Sequence, residues 1–414
     1  MAMFQAALDS AQPAHVLARH LPPVPPGRTV VVGVGKAAAA MAQAVEEQWQ
    51  GPLQGVIVVP QGATRPLQRI QTLIGTHPIP GEGSVQAGTA LLRAVQGMGP
   101  NDLVIALVSG GGSALCSLPA PGLTLQRKQA ITQDLLLRGA SISEINTVRR
   151  HLSGIKGGRL AAAAYPARVV TLLISDIPGD DPALIASGPT LPDPSTCADA
   201  LAVLERYCID AGPQVQAALQ SGAWESVKPD DARLAGNGHV IIASAWDGLR
   251  AASRQAMALG LNCYILSDAM EGEARELAKA HAAIALSVAQ HGAPFQAPCV
   301  LLSGGEATVT VRGSGRGGRN TEFALALAIA LKGQPQSGRI HALSAGTDGL
   351  DGNAGAAGAW IDADTLSLGK LRGLSAQQHL DDNDSASYLG ATGNLLHTGP
   401  TFTNINDFRA MLIL

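Results

Sequence analysis

The sequence is poor in aromatic residues, in charge and in cysteine, and each shortage excludes a class of protein. Phe, Trp and Tyr together make up 3% of 414 residues, too few for a base-stacking nucleic-acid platform. Charged residues are 15%, against roughly 25% in an average globular protein, so a disordered polyelectrolyte is excluded. The 29 Lys and Arg against 32 Asp and Glu leave a net charge of −3, which draws the chain neither to nucleic acid nor to an anionic membrane. Five scattered cysteines (Cys116, Cys197, Cys208, Cys263, Cys299) form no C-x-x-C pair and read as reduced thiols of a cytoplasmic protein. No apolar run reaches the roughly 18 residues of a membrane span. Residues 1–21 carry Asp9 and Pro13 and lack the basic head of a signal peptide.

Glycine, by contrast, is abundant, at 48 residues. Short β-branched runs with few charges recur at Thr29–Val34, Val56–Val59, Leu103–Val108, Val169–Ile174, Val240–Ile242, Cys263–Leu266, Val300–Leu302 and Ile340–Leu343. Such runs suit strands buried on both faces of a parallel sheet. Between them lie Ala- and Leu-rich stretches of helical spacing, including Ala37–Gln48, Val85–Val95, Leu125–Leu137, Ala245–Ala258 and Glu273–Ala289. The alternation predicts an α/β protein whose loops gather at the C-terminal ends of the strands. The length suggests more than one core, and the polar stretch Ser221–Gly238 is the best boundary. We therefore expect two α/β domains, 1–233 and 234–414, with the active site in a cleft between them and an apolar last strand, Phe408–Leu414, that packs on either one.

Several loops hold residues that packing does not explain. Gly33-Val34-Gly35-Lys36-Ala37-Ala38 is a G-x-G-x-x-A turn between a strand and a helix, able to face an anion with backbone N–H groups. It is a weak dinucleotide fingerprint, because the next strand ends Val59-Pro60-Gln61 without the acid that binds a ribose. It is not a Walker loop either, since Ala37 stands where Ser or Thr belongs. Ser109-Gly110-Gly111-Gly112-Ser113 offers consecutive N–H donors for a phosphate or carboxylate, and Ser303-Gly304-Gly305-Glu306 is a near copy. Thr147–Arg159 concentrates Arg149, Arg150, His151, Lys156 and Arg159, either as an anion clamp or as a solvated basic face. Asp176, Asp180 and Asp181 follow a strand end, where Asp176 and Asp180 fit a Mg²⁺ site and Asp181 fits a helix cap. Gly313–Glu322 is another glycine loop entering a helix, with Arg316, Arg319 and Asn320, and reads as a cationic phosphate site backed by the helix dipole. Asp348 and Asp351 are explained equally well by plain Asp-Gly turns, and Thr403–Asp407 reads as a polar turn. Nucleotide phosphates, Mg²⁺ and a small anionic substrate would use the whole set. No G-x-S-x-G elbow or Cys/His cluster supports a hydrolase or a zinc enzyme.

These motifs together resemble the glycerate 2-kinase (MOFRL) family. The matching stretches are V-V-G-V-G-K-A (31–37), T-H-P-I-P (76–80), L-V-S-G-G-G-S-A-L (107–115), S-D-I-P-G-D-D (175–181), I-A-S-G-P-T (185–190), L-S-G-G-E (302–306), G-G-R-N-T-E-F-A-L (317–325), T-D-G-L-D-G (347–352) and T-N-I-N-D-F-R (403–409). They run in order along nearly the whole chain. The resemblance implies an ATP- and Mg²⁺-dependent kinase that forms 2-phospho-D-glycerate, with a Rossmann-like N-terminal domain and a C-terminal MOFRL domain. It places Lys36, Arg319 and Asp176 in catalysis and Asp176 and Asp180 at the metal. Gly35, Ser109, Gly110, Gly111, Gly112, Ser113, Arg149, Lys156, Gly304, Glu306, Asn320, Asp348, Asn404 and Asn406 would bind substrate or phosphate. The sequence departs from the family pattern at Thr321, where Gln is expected, and at Phe402, where Gly is expected. Some relatives bear the name hydroxypyruvate reductase, so an NAD(P)H-dependent reductase is the alternative. The expected partners are D-glycerate and ATP, without nucleic acid or membrane, and either a monomer or a homodimer fits.

Overall fold

The β-branched runs of the first half become strands β1 Thr29–Val34, β2 Gln54–Pro60, β3 Ile70–Gly75, β4 Leu103–Val108, β5 Arg168–Ile174 and β6 Gly238–Ala243 in the computed structural model, which describes residues 1–414. They form one sheet of order β3-β2-β1-β4-β5-β6. β1 runs parallel to β2 and β4, β2 to β3, and β4 to β5. Every residue of β1 and β4 is buried, as expected for central strands covered on both faces. The order reverses between β1 and β4, so the loops leaving those two strands flank the switch point of a doubly wound sheet.

The second half supplies β7 Asn262–Ser267, β8 Gly272–Glu273, β9 Cys299–Gly305, β10 Ala307–Thr308, β11 Ile340–Gly346, β12 Gly358–Ile361, β13 Leu395–Leu396 and β14 Asp407–Ile413. Its main sheet has the order β13-β12-β11-β14-β9-β7. Here the parallel expectation fails: β14 enters between β9 and β11 antiparallel to both, and only β7 and β9 are parallel. The final strand is therefore central in the second sheet. The helix Arg319–Leu331 buries Phe323, Leu325 and Leu327 in the core beneath it.

The chain divides into two compact units, one of Pro13–Ser175 and Asp181–Ile242, the other of Met1–Gln12, Asp176–Asp180 and Ala243–Leu414. This differs from an expected division at 233/234. The run Val240–Ile242 extends the first sheet as its edge strand β6 rather than opening the second unit. The first helix, Ala2–Ser10, joins the second unit because Phe4, Ala7 and Leu8 pack with Leu249, Ala252 and Phe408. Asp176–Asp180 belongs there too. No helix is long and apolar enough to cross a membrane, and all five cysteines are free thiols.

Candidate active site

The turn after β1 and the loop after β4 interlock. Gly35 has φ +130°, and a Cβ there would lie 2.2 Å from Ser109 Oγ, so only glycine allows this approach. The Ser109 N–H donates to the Val34 carbonyl at 3.0 Å, and the Lys36 N–H to the Gly110 carbonyl at 3.0 Å. The Ser109 hydroxyl is buried and accepts the Ala37 N–H at 3.1 Å, which makes it a brace for the Lys36 turn rather than a group facing ligand. Lys36 runs beside the loop, since a Cβ on Gly111 would lie 3.5 Å from its Cγ and 3.3 Å from the His77 ring. No protein acceptor meets the N–H groups of Gly110, Gly111, Gly112 and Ser113. Four consecutive unpaired donors lie beside a lysine at the switch point, an arrangement able to receive an anion. Gly112 is pressed against Ala186, where a Cβ would lie 2.5 Å from that methyl. The Ser113 hydroxyl meets Ser187 Oγ at 2.6 Å, and Ser187 donates to Asn146 at 3.1 Å. A cavity of 620 Å³ in this unit, lined by Val30, Gln54, Arg69 and Arg93, lies at the opposite ends of the strands and takes no part in this site.

The basic segment separates into two kinds of cation. Arg150 pairs with buried Asp193 at 2.6 Å, and Arg159 donates to the carbonyls of Arg150, Lys156, Trp224 and Glu225. Both ring nitrogens of His151 are engaged, by the Thr147 carbonyl at 2.8 Å and Glu225 at 3.0 Å, so it serves structure rather than proton transfer. Lys156 is buried and donates to the Cys116 carbonyl at 2.6 Å. Burial pushes its ammonium down to about 8. Arg149 is half-buried, and burial lowers its guanidinium too.

In the second unit Arg319 stands at the start of its helix. Its Nε donates to Asp407 at 2.8 Å, Nη1 to Glu306 at 2.6 Å and Nη2 to Asn406 at 3.2 Å. Burial alone would lower its guanidinium, but the charges of Asp407 and Glu306 outweigh that and hold it above its ordinary value. Asn404 donates to the Asp176 carboxylate at 2.8 Å, and Asn406 to the Asp176 carbonyl at 2.7 Å. Thr403–Asp407 is thus more than a turn, because its two asparagines fix Asp176. Asp180 lies in the same segment with φ +51°. Asp181 accepts the Ala183 N–H at 2.9 Å, as a capping residue does.

Four expectations need correction. The glycine loop before Arg319 is not an open phosphate cradle. Its N–H groups at Arg312 and Gly313 are held by Asn383, Ser314 and Gly315 by Asp382, Arg316 by Asp384, Gly317 by Asn353 and Gly318 by Thr321. The first N–H groups of the helix, at Asn320 and Thr321, are taken by the Asp351 carboxylate at 2.9 and 2.8 Å. Asn320 is fully buried and bound to Asp407, Asp351 and Ser344, which places it behind Arg319 rather than against a ligand. Gly304 lies inside β9, so the near copy of the Ser109 loop is sheet and not a loop. Asp348 accepts the Leu350 N–H at 3.0 Å, the local bond of an Asp-Gly turn.

Sequence reasoning missed Asp407, which is fully buried and joins Arg319, Asn320 and Arg409. The T-N-I-N-D-F-R stretch contained it, but nothing local says that its carboxylate reaches a helix 87 residues earlier. Thr321 fits because its short hydroxyl bonds Asp351 at 2.8 Å in a fully buried position. Phe402 has φ +60°, left-handed backbone that glycine adopts most readily.

Comparison with known proteins identifies the family. The model of DUF4147, a domain of unknown function, matches residues 1–220, and that of the MOFRL family matches residues 299–407. A protein of Agrobacterium vitis named "Putative hydroxypyruvate reductase" is 49% identical, with 99% of this chain and 93% of that protein covered. The D-glycerate 2-kinase of Thermotoga maritima is 39% identical, over 98% of this chain and 96% of its own. The crystal structure of a Thermotoga maritima glycerate kinase matches with a TM-score of 0.88 at 39% identity, covering 100% of this chain and 98% of that one.

Proposed function

The chain belongs to the glycerate kinase family that joins a DUF4147 domain to a MOFRL domain, and from that premise we propose that it transfers the γ-phosphoryl group of ATP to the 2-hydroxyl of D-glycerate with Mg²⁺. The observation that carries the phosphate reading is the open run of N–H groups at Gly110–Ser113 beside Lys36, at the point where the sheet order reverses. Phosphoryl transfer asks little covalent chemistry of the protein; positioning and charge neutralisation do most of it.

In this reading the substrate hydroxyl oxygen attacks the γ-phosphorus, the bond to the bridging oxygen breaks, and ADP leaves with the electron pair. The Asp176 carboxylate receives the hydroxyl proton, oriented by Asn404 and Asn406. Lys36 meets the charge on the transferring group, its backbone fixed by Gly110 and Ser109. Arg319 is a second cation; three of its five N–H donors are engaged by Asp407, Glu306 and Asn406. Asp176 and Asp180 fit a hard cation, being carboxylates on one short segment after a strand end. Bound there, Mg²⁺ would neutralise phosphate charge.

The test is ADP release from Mg-ATP and D-glycerate, with enolase added to detect 2-phosphoglycerate. ADP together with an enolase signal is the expected result. ADP without that signal would move the phosphate to the 3-hydroxyl, and no ADP would overturn the kinase. The name of the Agrobacterium relative and the β3-β2-β1-β4-β5-β6 order favour a nicotinamide-dependent reductase as the second reading. Against it, β2 runs out into Pro60 and Gln61 with no ribose-binding acid. We expect no NADH binding by fluorescence titration.

A further inference from the structure

Arg149 and Lys156, expected from the sequence to bind an anion, take no part in the steps above, and a third buried cation, Lys128, joins them. The helix Leu125–Leu137 and the basic segment that follows bring three cations into one interior region of the first unit. Lys128 is 4% exposed, and no acceptor reaches its Nζ. Lys156 is 2% exposed and has one acceptor, the Cys116 carbonyl. Arg149 lies beside both and alone of the three reaches solvent. No carboxylate pairs with any of them, although Arg150, the next residue along the helix, has Asp193 at 2.6 Å.

An uncompensated buried charge costs several kcal/mol per ion, and like charges together cost more. Loss of protons relieves only part of this. Burial and the neighbouring Lys156 hold the Lys128 ammonium well below its ordinary value, but a guanidinium does not deprotonate in a protein. The Cys116 thiol does not supply the missing charge, because burial pushes it upward and keeps it protonated. What this region lacks is an acceptor with several lone pairs and negative charge.

Its place in the fold says where such a group would come from. Cys116 directly follows the short helix Gly112–Leu115 that continues the open loop. The strand-like contact of Pro119 with Ser153 brings Lys156 alongside that segment. We propose that Lys128, Lys156 and Arg149 form a buried subsite for a small oxyanion group, entered past Arg149. Its occupant is the carboxylate of the hydroxy-acid substrate or a phosphate. Only the assignment to a substrate rests on the kinase reading; anion binding does not.

The experiment compares wild type with Lys128→Met in thermal unfolding, adding inorganic phosphate or D-glycerate against chloride at matched ionic strength. A ligand that binds only the folded state raises Tm. We expect one of the two probes to raise it in wild type, the increment to vanish in Lys128→Met, and part of it to survive in Lys36→Ala. Turnover then separates the sources: KM rises about tenfold or more, the loss of one charge-assisted hydrogen bond, for glycerate alone if the group is a carboxylate and for ATP alone if it is a phosphate. Equal increments in wild type and Lys128→Met, or no increment with either probe, overturn the subsite. If Lys128→Met does not fold, Arg149→Met at the partly exposed edge answers the same question. A wild type that releases no ADP from glycerate defeats the kinase reading, while the Tm comparison still decides the subsite.

Discussion

Two glycine-rich loops, each entering a helix, look alike as sequence and differ in what they leave open. Around Ser109–Ser113 the four N–H groups from Gly110 to Ser113 meet no protein acceptor. In the loop before Arg319, every N–H group from Arg312 to Gly318 is satisfied, and Asp351 caps the helix behind it. A buried backbone donor must be paired by protein, water or ligand. The first loop therefore leaves its donors to water or a ligand, and the second closes on itself around the start of the Arg319 helix. Glycine content alone does not distinguish these cases; the supply of downstream Asp and Asn does.

The largest break in this comparison should come from Lys36→Ala. Loss of an electrostatic stabiliser at the reacting group lowers kcat by about 10²–10³-fold, with both KM values little changed. Steady-state ADP release checks this, and unchanged kcat would remove Lys36 from the mechanism. Next, Gly35→Ala forces a Cβ to within 2.2 Å of Ser109 Oγ at φ +130°. Overlap and backbone strain together should cost about 2–4 kcal/mol in urea unfolding. Asp351→Ala opens the closed loop instead. Loss of the carboxylate that caps Asn320 and Thr321 should cost about 1–3 kcal/mol, with a smaller fall in kcat than Lys36→Ala.

An effect of similar size is a pH dependence in the unit that holds the open loop. The Lys156 ammonium lies at about 8 in the folded state against an ordinary 10.5, so the unfolded chain binds that proton more tightly. Its penalty is complete below pH 8 and is relieved as pH rises from about 8 to 10.5. Wild-type stability relative to Lys156→Met should therefore climb across that window by about 1–3 kcal/mol. A flat difference would show that Lys156 is not held in a desolvated environment.

The same contrast explains what was legible in the sequence. Central strands such as β1 and β4 are buried throughout and leave unbroken β-branched runs, so they could be read directly. β3 mixes buried and exposed positions and β12 has four residues, and neither announces itself. Nothing in Ala2–Ser10 says that it packs on Leu249. Three successive glycines mark the loop whose N–H groups meet no protein acceptor. Closure of the other loop was invisible because its acceptors, Asp351, Asn353 and Asp382–Asp384, lie dozens of residues downstream. Lys128 gave no signal at all, since a lysine in an amphipathic helix reads as surface.

The most direct test is amide hydrogen exchange with and without a non-hydrolysable Mg-ATP analogue and D-glycerate. Exchange at Gly110–Ser113 should be fast in the free protein and slow sharply on binding, while Arg312–Gly318 should be slow already and change little. Protection gained at Arg312–Gly318, with Gly110–Ser113 unaltered, would contradict the assignment of the phosphate site to the open loop.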